Sequence, residues 1–122
     1  MNSAKNALII FASRGLGLGL VKELAGRGWR VIATWRSAAN DKGLQAFADQ
    51  SGGKVRLATA DIEDPASVAA LAGRLKGESF DLVFVNAGVS GRHAPVAELG
   101  REDAAKVFMT NVVGPIHVAQ AL

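Results

Sequence analysis

Leu8-Ile9-Ile10-Phe11-Ala12-Ser13-Arg14-Gly15-Leu16-Gly17-Leu18-Gly19 joins an apolar run to a glycine-rich turn and then to an apolar stretch with helical spacing. The run reads as a buried strand over Ala7–Ala12. Leu16, Leu20, Val21 and Leu24 recur as one face of a helix over Gly15–Gly26. A strand, a glycine turn and a helix in that order place unpaired helix N–H groups and the positive end of a helix dipole at the turn, where an anion is stabilised. Glycine lets the backbone approach a phosphate with no Cβ in the way. Gly15 and Gly17 therefore predict a Rossmann-type pyrophosphate cradle, set against the plainer alternative of a tight, closely packed turn. Gly19, inside the helix, reads as a point of close helix–sheet approach.

Outward from this segment, apolar strand-like runs alternate with helical patterns. Gly28 follows Arg27 as a helix cap. A short strand covers Arg30–Trp35. Asn40-Asp41 reads as a cap for a helix to about Gln50, with Leu44, Phe47 and Ala48 turned inward. Ser51-Gly52-Gly53 is a turn, and Lys54–Thr59 a third strand. Asp64-Pro65 combines an acidic cap with proline at the first helical position. Val68, Leu71 and Leu75 form the buried stripe of that helix, which stops by Gly77. Phe80–Val85 is a fourth strand. A loop with a short helix near Val96–Leu99 leads to a helix over Arg101–Leu122, interrupted at Gly114-Pro115.

Alternation of this kind predicts an α/β fold, a three-layer sandwich with a parallel sheet, flanking helices and right-handed crossovers. The expected strand order is 3-2-1-4. Its order reverses between the first and fourth strands, so the Gly15 turn and the Asn86-Ala87-Gly88 turn face each other across one crevice. All 122 residues read as a single dinucleotide-binding domain.

Composition narrows the function. The chain is 49% hydrophobic and 20% charged, the balance of an ordinary globular domain. No apolar run is long enough to span a bilayer. The first residues carry no signal-peptide pattern, so the expected location is cytoplasmic. There are 0 cysteines, which removes disulfides and thiolate metal sites. His93 and His117 have no carboxylate or thiol companions at ligand spacing and read as surface or helix residues, so no metal is expected. The formal charge is +3 with no basic block, which argues against nucleic acid and leaves single arginines to meet one anionic ligand.

Taken in order, these motifs resemble the short-chain dehydrogenase/reductase family. Its Thr-Gly-x-x-x-Gly-x-Gly turn matches Ile10-Phe11-Ala12-Ser13-Arg14-Gly15-Leu16-Gly17. Its Asp after the third strand matches Asp61 in Thr59-Ala60-Asp61-Ile62. Its Asn-Ala-Gly turn matches Asn86-Ala87-Gly88, and its helical Asn matches Asn111 in Met109-Thr110-Asn111-Val112-Val113-Gly114-Pro115. The stretch Gly28-Trp29-Arg30-Val31-Ile32-Ala33-Thr34 resembles the carbonyl-reductase and C-factor-like branch. The resemblance covers essentially the whole chain and implies an NAD(P)-dependent oxidoreductase of carbonyl or alcohol carbons, C-terminally truncated relative to the family.

The expected cofactor residues are Ser13, Arg14, Gly15, Leu16, Gly17, Arg36, Asp61, Ile62, Asn86, Ala87 and Gly88. An NAD site places an acid at the end of the second strand for the ribose hydroxyls. Trp35-Arg36-Ser37 has none, and Arg36 with Arg14 suits a 2′-phosphate, so NADP is favoured over NAD. The alternative for both arginines is solvated surface. Asp61 is expected to accept from the adenine amino group, or to be a turn carboxylate only. Asn86 is expected to hold its loop. Phe11 and Trp35 depart from the family. A phenyl ring replaces glycine at position 11, and a bulky ring stands at the end of the second strand. Both are expected to fill part of the adenosine site, against the alternative that they pack outside it.

The family draws its proton donor from a Tyr-x-x-x-Lys segment beside a Ser, and this chain contains 0 tyrosines. Asn111 is then a vestigial catalytic residue, and these residues alone are expected to be inactive. The alternative is a non-catalytic α/β module that binds no dinucleotide. The apolar strand 82–85 is expected at a sheet edge. It and the last helix, through Val107, Phe108, Val112, Ile116 and Val118, are expected to drive self-association.

Overall fold

The computed structural model describes residues 4–36, 42–86, 88 and 91–122. Four strands, β1 (Asn6–Ile10), β2 (Arg30–Trp35), β3 (Val55–Thr59) and β4 (Leu82–Val85), form one sheet in the order β3-β2-β1-β4. All three pairings are parallel, and β1 lies between β2 and β4, with Ile9 opposite both Ala33 and Phe84. Helices α1 (Gly15–Gly26), α2 (Lys42–Gln50) and α3 (Pro65–Arg74) make the crossovers. After β4 come a 3-10 turn at Val96–Glu98, helix α4 (Arg101–Phe108), a π turn at Met109–Val113 and helix α5 (Gly114–Ala121).

Side chains alternate across a strand, so each strand feeds two cores. Ala7, Ile9, Val31, Ala33 and Trp35 pack with Val21, Leu24 and Leu44 beneath α1 and α2. Leu8, Ile10 and Ile32 pack with Val68, Leu71 and Val118 beneath α3 and α5. β1 is buried on both faces, as a central parallel strand should be. The Asp64 cap forms as expected: its carboxylate accepts from the Ala66 N–H at 3.0 Å, with Pro65 in the first turn.

Several local expectations change. β1 ends at Ile10 rather than Ala12, because Phe11 turns into the left-handed region at φ 66°. Leu16 is 69% exposed and lies outside the buried stripe, since the first turn of α1 starts beyond the end of the sheet. The long last helix is not broken at Gly114-Pro115. Proline lacks the N–H for an i→i−4 bond and crowds the carbonyl four residues back. The wider π turn directly before it takes up that mismatch, so α5 continues from α4. Val118, expected to be partly uncovered, is 1% exposed because α5 lays it against the α3 side of the core. The expected Asn40-Asp41 cap lies outside the described residues. Among the described residues, no helix is long and apolar enough to cross a membrane.

Candidate functional site

Four rim residues lie just past the C-terminal ends of the parallel strands: Phe11 after β1, Arg36 after β2, Asp61 after β3 and Asn86 after β4. Parallel strands put all four ends on one rim of the sheet. That rim, at the β1/β4 reversal of strand order, is where open α/β sheets bind ligands.

The rim is built around Phe11. Its N–H donates to the Thr34 Oγ1 at 3.0 Å, and its carbonyl accepts from the Asn86 Nδ2 at 3.1 Å. The next residue, Ala12, donates its N–H to the Thr34 carbonyl at 2.9 Å, while the Asn86 N–H donates to the Ile10 carbonyl at 2.9 Å. Asn86 therefore cross-ties β4 to the turn with both its backbone and its side chain. Thr34, 0% exposed, does the same from β2. Nothing in the sequence singled out Thr34, because a threonine in a β-branched strand needs no special explanation.

Gly17 completes this corner. A Cβ there would lie 2.3 Å from the Phe11 carbonyl oxygen and 2.9 Å from the Ala12 Cα. The close helix–sheet approach expected at Gly19 thus belongs to Gly17. Around Gly19 no atom lies within 4 Å of such a Cβ. Gly15, at φ 57°, likewise has open space about its Cβ position. Arg14 caps α1 in extended backbone with no side-chain hydrogen bond to the helix, and the first turn holds no acid. Ser13 is half-buried and Arg14 exposed. The first turn of α1 thus supplies no acid of its own to its amides, the arrangement an incoming pyrophosphate requires.

On the β2/β3 side, the Arg36 Nε lies 3.6 Å from the Asp61 Oδ2. The other oxygen of Asp61 accepts from the Glu63 N–H at 3.0 Å, and the Asp61 N–H donates to the Ser67 Oγ at 2.8 Å. The carboxylate is thus both a turn former and the anchor of Arg36, whose side chain is 65% exposed. Ile62 is 2% exposed, and α5 approaches it so closely that a Cβ on Gly114 would lie 2.7 Å from its side chain. Trp35, expected to border the adenosine slot, is 6% exposed and packs in the core under α1 and α2. It shares the inward parity of Val31 and Ala33, so its ring points away from the Ile62 face.

On the β4 side, Gly88 and Asn111 come together: a Cβ on Gly88 would lie 3.8 Å from the Asn111 Oδ1. Ala87 lies outside the described residues. Asn111 sits within the π turn, a helix irregularity that often marks functional positions. Beside it is a largely apolar cavity of 470 Å³, lined among others by Gly91, Leu99, Val107, Phe108 and Val112. Arg92 and Asp103 close one end, 3.3 Å apart. The Gly100 N–H, with Arg92 beside it, holds the Asp103 carboxyl below its usual range. Among the described residues, no group of three or more His, Asp or Glu side chains is placed to hold a metal ion.

The arrangement fits a dinucleotide on its phosphate side: open glycine backbone, an unencumbered helix start and a tethered arginine. One rim residue, Phe11, is out of character: a bulky side chain at φ 66°.

Comparison with known proteins agrees with this geometry. The family model described as short chain dehydrogenase matches residues 5–122. Gluconate 5-dehydrogenase of Gluconobacter oxydans is 33% identical over 98% of this chain and 47% of its own length. The NADPH-dependent pterin aldehyde reductase of Arabidopsis thaliana is 35% identical over 95% of this chain and 48% of its own. A carbonyl reductase from Pseudomonas aeruginosa, crystallised with NADP, superposes with a TM-score of 0.91 at 36% identity, over 98% of this chain and 53% of that one. The chain therefore spans about half the length of these relatives.

Proposed function

Because the chain belongs to the short-chain dehydrogenase family, we propose that these residues form the NADP(H)-binding half of an oxidoreductase acting on a carbonyl or alcohol carbon. The observation that carries the cofactor preference is Arg36. It stands at the end of β2, where an NAD site needs an acid, and Asp61 tethers it at 3.6 Å. A guanidinium held there offers paired donors to a 2′-phosphate. NADP in the solved carbonyl reductase and the NADPH-dependent relative support the same reading.

In this reading the first amides of α1 receive the pyrophosphate, with Gly15 giving it access. Arg14 and Arg36 meet the 2′-phosphate. Asp61 and Ile62 border the adenine, and the Asn86-Ala87-Gly88 turn forms the opposite lip. The nicotinamide, when bound, supplies or accepts the hydride. Asn111 sits at the substrate end of the crevice. A titration followed by tryptophan fluorescence tests the preference. NADPH should bind at least tenfold more tightly than NADH, and Arg36→Ala should remove most of that difference, since a charge-assisted hydrogen bond contributes about 1.5–3 kcal/mol. Equal affinities for the two cofactors in the unaltered chain contradict the assignment.

Hydride transfer also needs a proton donor at the substrate oxygen. The family takes it from tyrosine, and this chain has 0. The 122 residues by themselves are therefore expected to show no carbonyl-dependent oxidation of NADPH above background. A turnover that scales with protein concentration would refute this.

One observation favours a second reading, a non-catalytic module that assembles with its own copies. β4 is an edge strand of apolar residues with Val83 45% exposed, and Phe108 and Ile116 are 56% and 49% exposed on the last helices. Such surfaces favour burial against a second chain. Light scattering should then give a mass that rises with concentration. A constant monomer mass would count against self-association.

A further inference from the structure

Among the described residues, Phe11 is the single non-glycine residue with positive φ, at 66°. A bulky side chain there is a backbone outlier that persists only where its surroundings over-determine it. Those surroundings are in place. Thr34 fixes the N–H, Asn86 fixes the carbonyl, and Gly17 abuts that carbonyl from α1. These contacts hold the backbone from which the ring departs. From the α1 side Gly17 abuts the Phe11 carbonyl so closely that a Cβ there would lie 2.3 Å from it. The ring packs, half-buried, against the cluster that holds Ile10, Ala60 and Ile62. Ala60 and Ile62 flank Asp61, so this cluster reaches the Asp61 side of the rim.

Resting on the cofactor reading above, we infer that Phe11 is the residue that sets adenosine affinity in this chain. Its ring occupies apolar surface that an adenosine would otherwise cover, so the adenosine half of a dinucleotide binds only by displacing it. The nicotinamide and phosphate halves are untouched. A ring and an adenine compete for the same flat apolar contact, and the ring is covalently tethered there. Trp35 takes no part, being buried on the opposite face.

The test uses three ligands: NADPH, adenosine 2′,5′-bisphosphate as the adenosine half, and reduced nicotinamide mononucleotide as the other half. Each is titrated into the unaltered chain, Phe11→Gly and Phe11→Asn. Both replacements accept the left-handed backbone, so both should keep the fold, which circular dichroism checks. NADPH and the bisphosphate should bind at least tenfold more tightly to both variants than to the unaltered chain, with the mononucleotide unchanged. Equal affinities across the three proteins overturn the inference while leaving the cofactor reading intact. Weaker binding after the ring is removed overturns it too, because the ring would then be stacking on adenine. A similar gain for the mononucleotide contradicts its adenosine selectivity. Binding of none of the ligands to any of the proteins overturns the cofactor reading itself, and this inference with it.

Discussion

Gly17→Ala should lower the stability of the chain by about 3 kcal/mol, the upper end of what overpacking usually costs. The added methyl group would meet backbone on two sides, 2.3 Å from the Phe11 oxygen and 2.9 Å from the Ala12 Cα. Its third neighbour, the Asn86 Nδ2 at 2.8 Å, is tied to that same oxygen. None of these is the free end of a flexible side chain, so α1 has to lift from the sheet. The lift would also pull at the Asn86 tie between β1 and β4. Against a typical domain stability of roughly 5–15 kcal/mol, a loss of this size is large. Gly19→Ala, two residues on, is the matched control. No atom lies within 4 Å of its Cβ position, so the same change should stabilise by up to about 1 kcal/mol through helix propensity. Urea unfolding of the two variants checks both signs. Equal shifts would mean that Gly17 is not the point of contact.

Thr34→Val should cost about 2 kcal/mol. The substitution keeps the shape of a side chain that is 0% exposed but removes the oxygen accepting from the Phe11 N–H. An unsatisfied donor in the interior costs about 1–3 kcal/mol. Here it would also be lost from a residue already in strained backbone. Thr34→Ser retains the acceptor and gives up one methyl group, so it should cost about 0.8 kcal/mol. Thermal or urea unfolding would separate the two. A Val variant as stable as the Ser variant would show that the hydroxyl does not hold the corner.

How much of this was legible depends on whether the signal is periodic or three-dimensional. The bounds of α1 and β2 follow from apolar spacing and from Arg27-Gly28, and the sheet order follows from strand–helix alternation. The rim residues are legible because parallel topology forces strand ends together. Trp35 packs on the face that its parity with Val31 and Ala33 assigns, not at the adenosine slot expected for it. Gly17 and Gly19 occupy different sides of α1, and of the two Gly17 meets the Phe11 corner. Thr34 could not be found from sequence, since its role exists only because Phe11 turns back toward β2. Phe11 was conspicuous as a departure from a glycine pattern. Its φ of 66° is the left-handed conformation that a glycine adopts without strain.

Whether this rim is a site for NADP(H) is tested most directly by one titration. NADPH and NADH are added separately to the chain and to Phe11→Gly while intrinsic tryptophan fluorescence is recorded. NADPH binding is expected to saturate and to be tighter in the variant, with NADH at least tenfold weaker in both. No saturation by NADPH in either protein at millimolar concentration would contradict it.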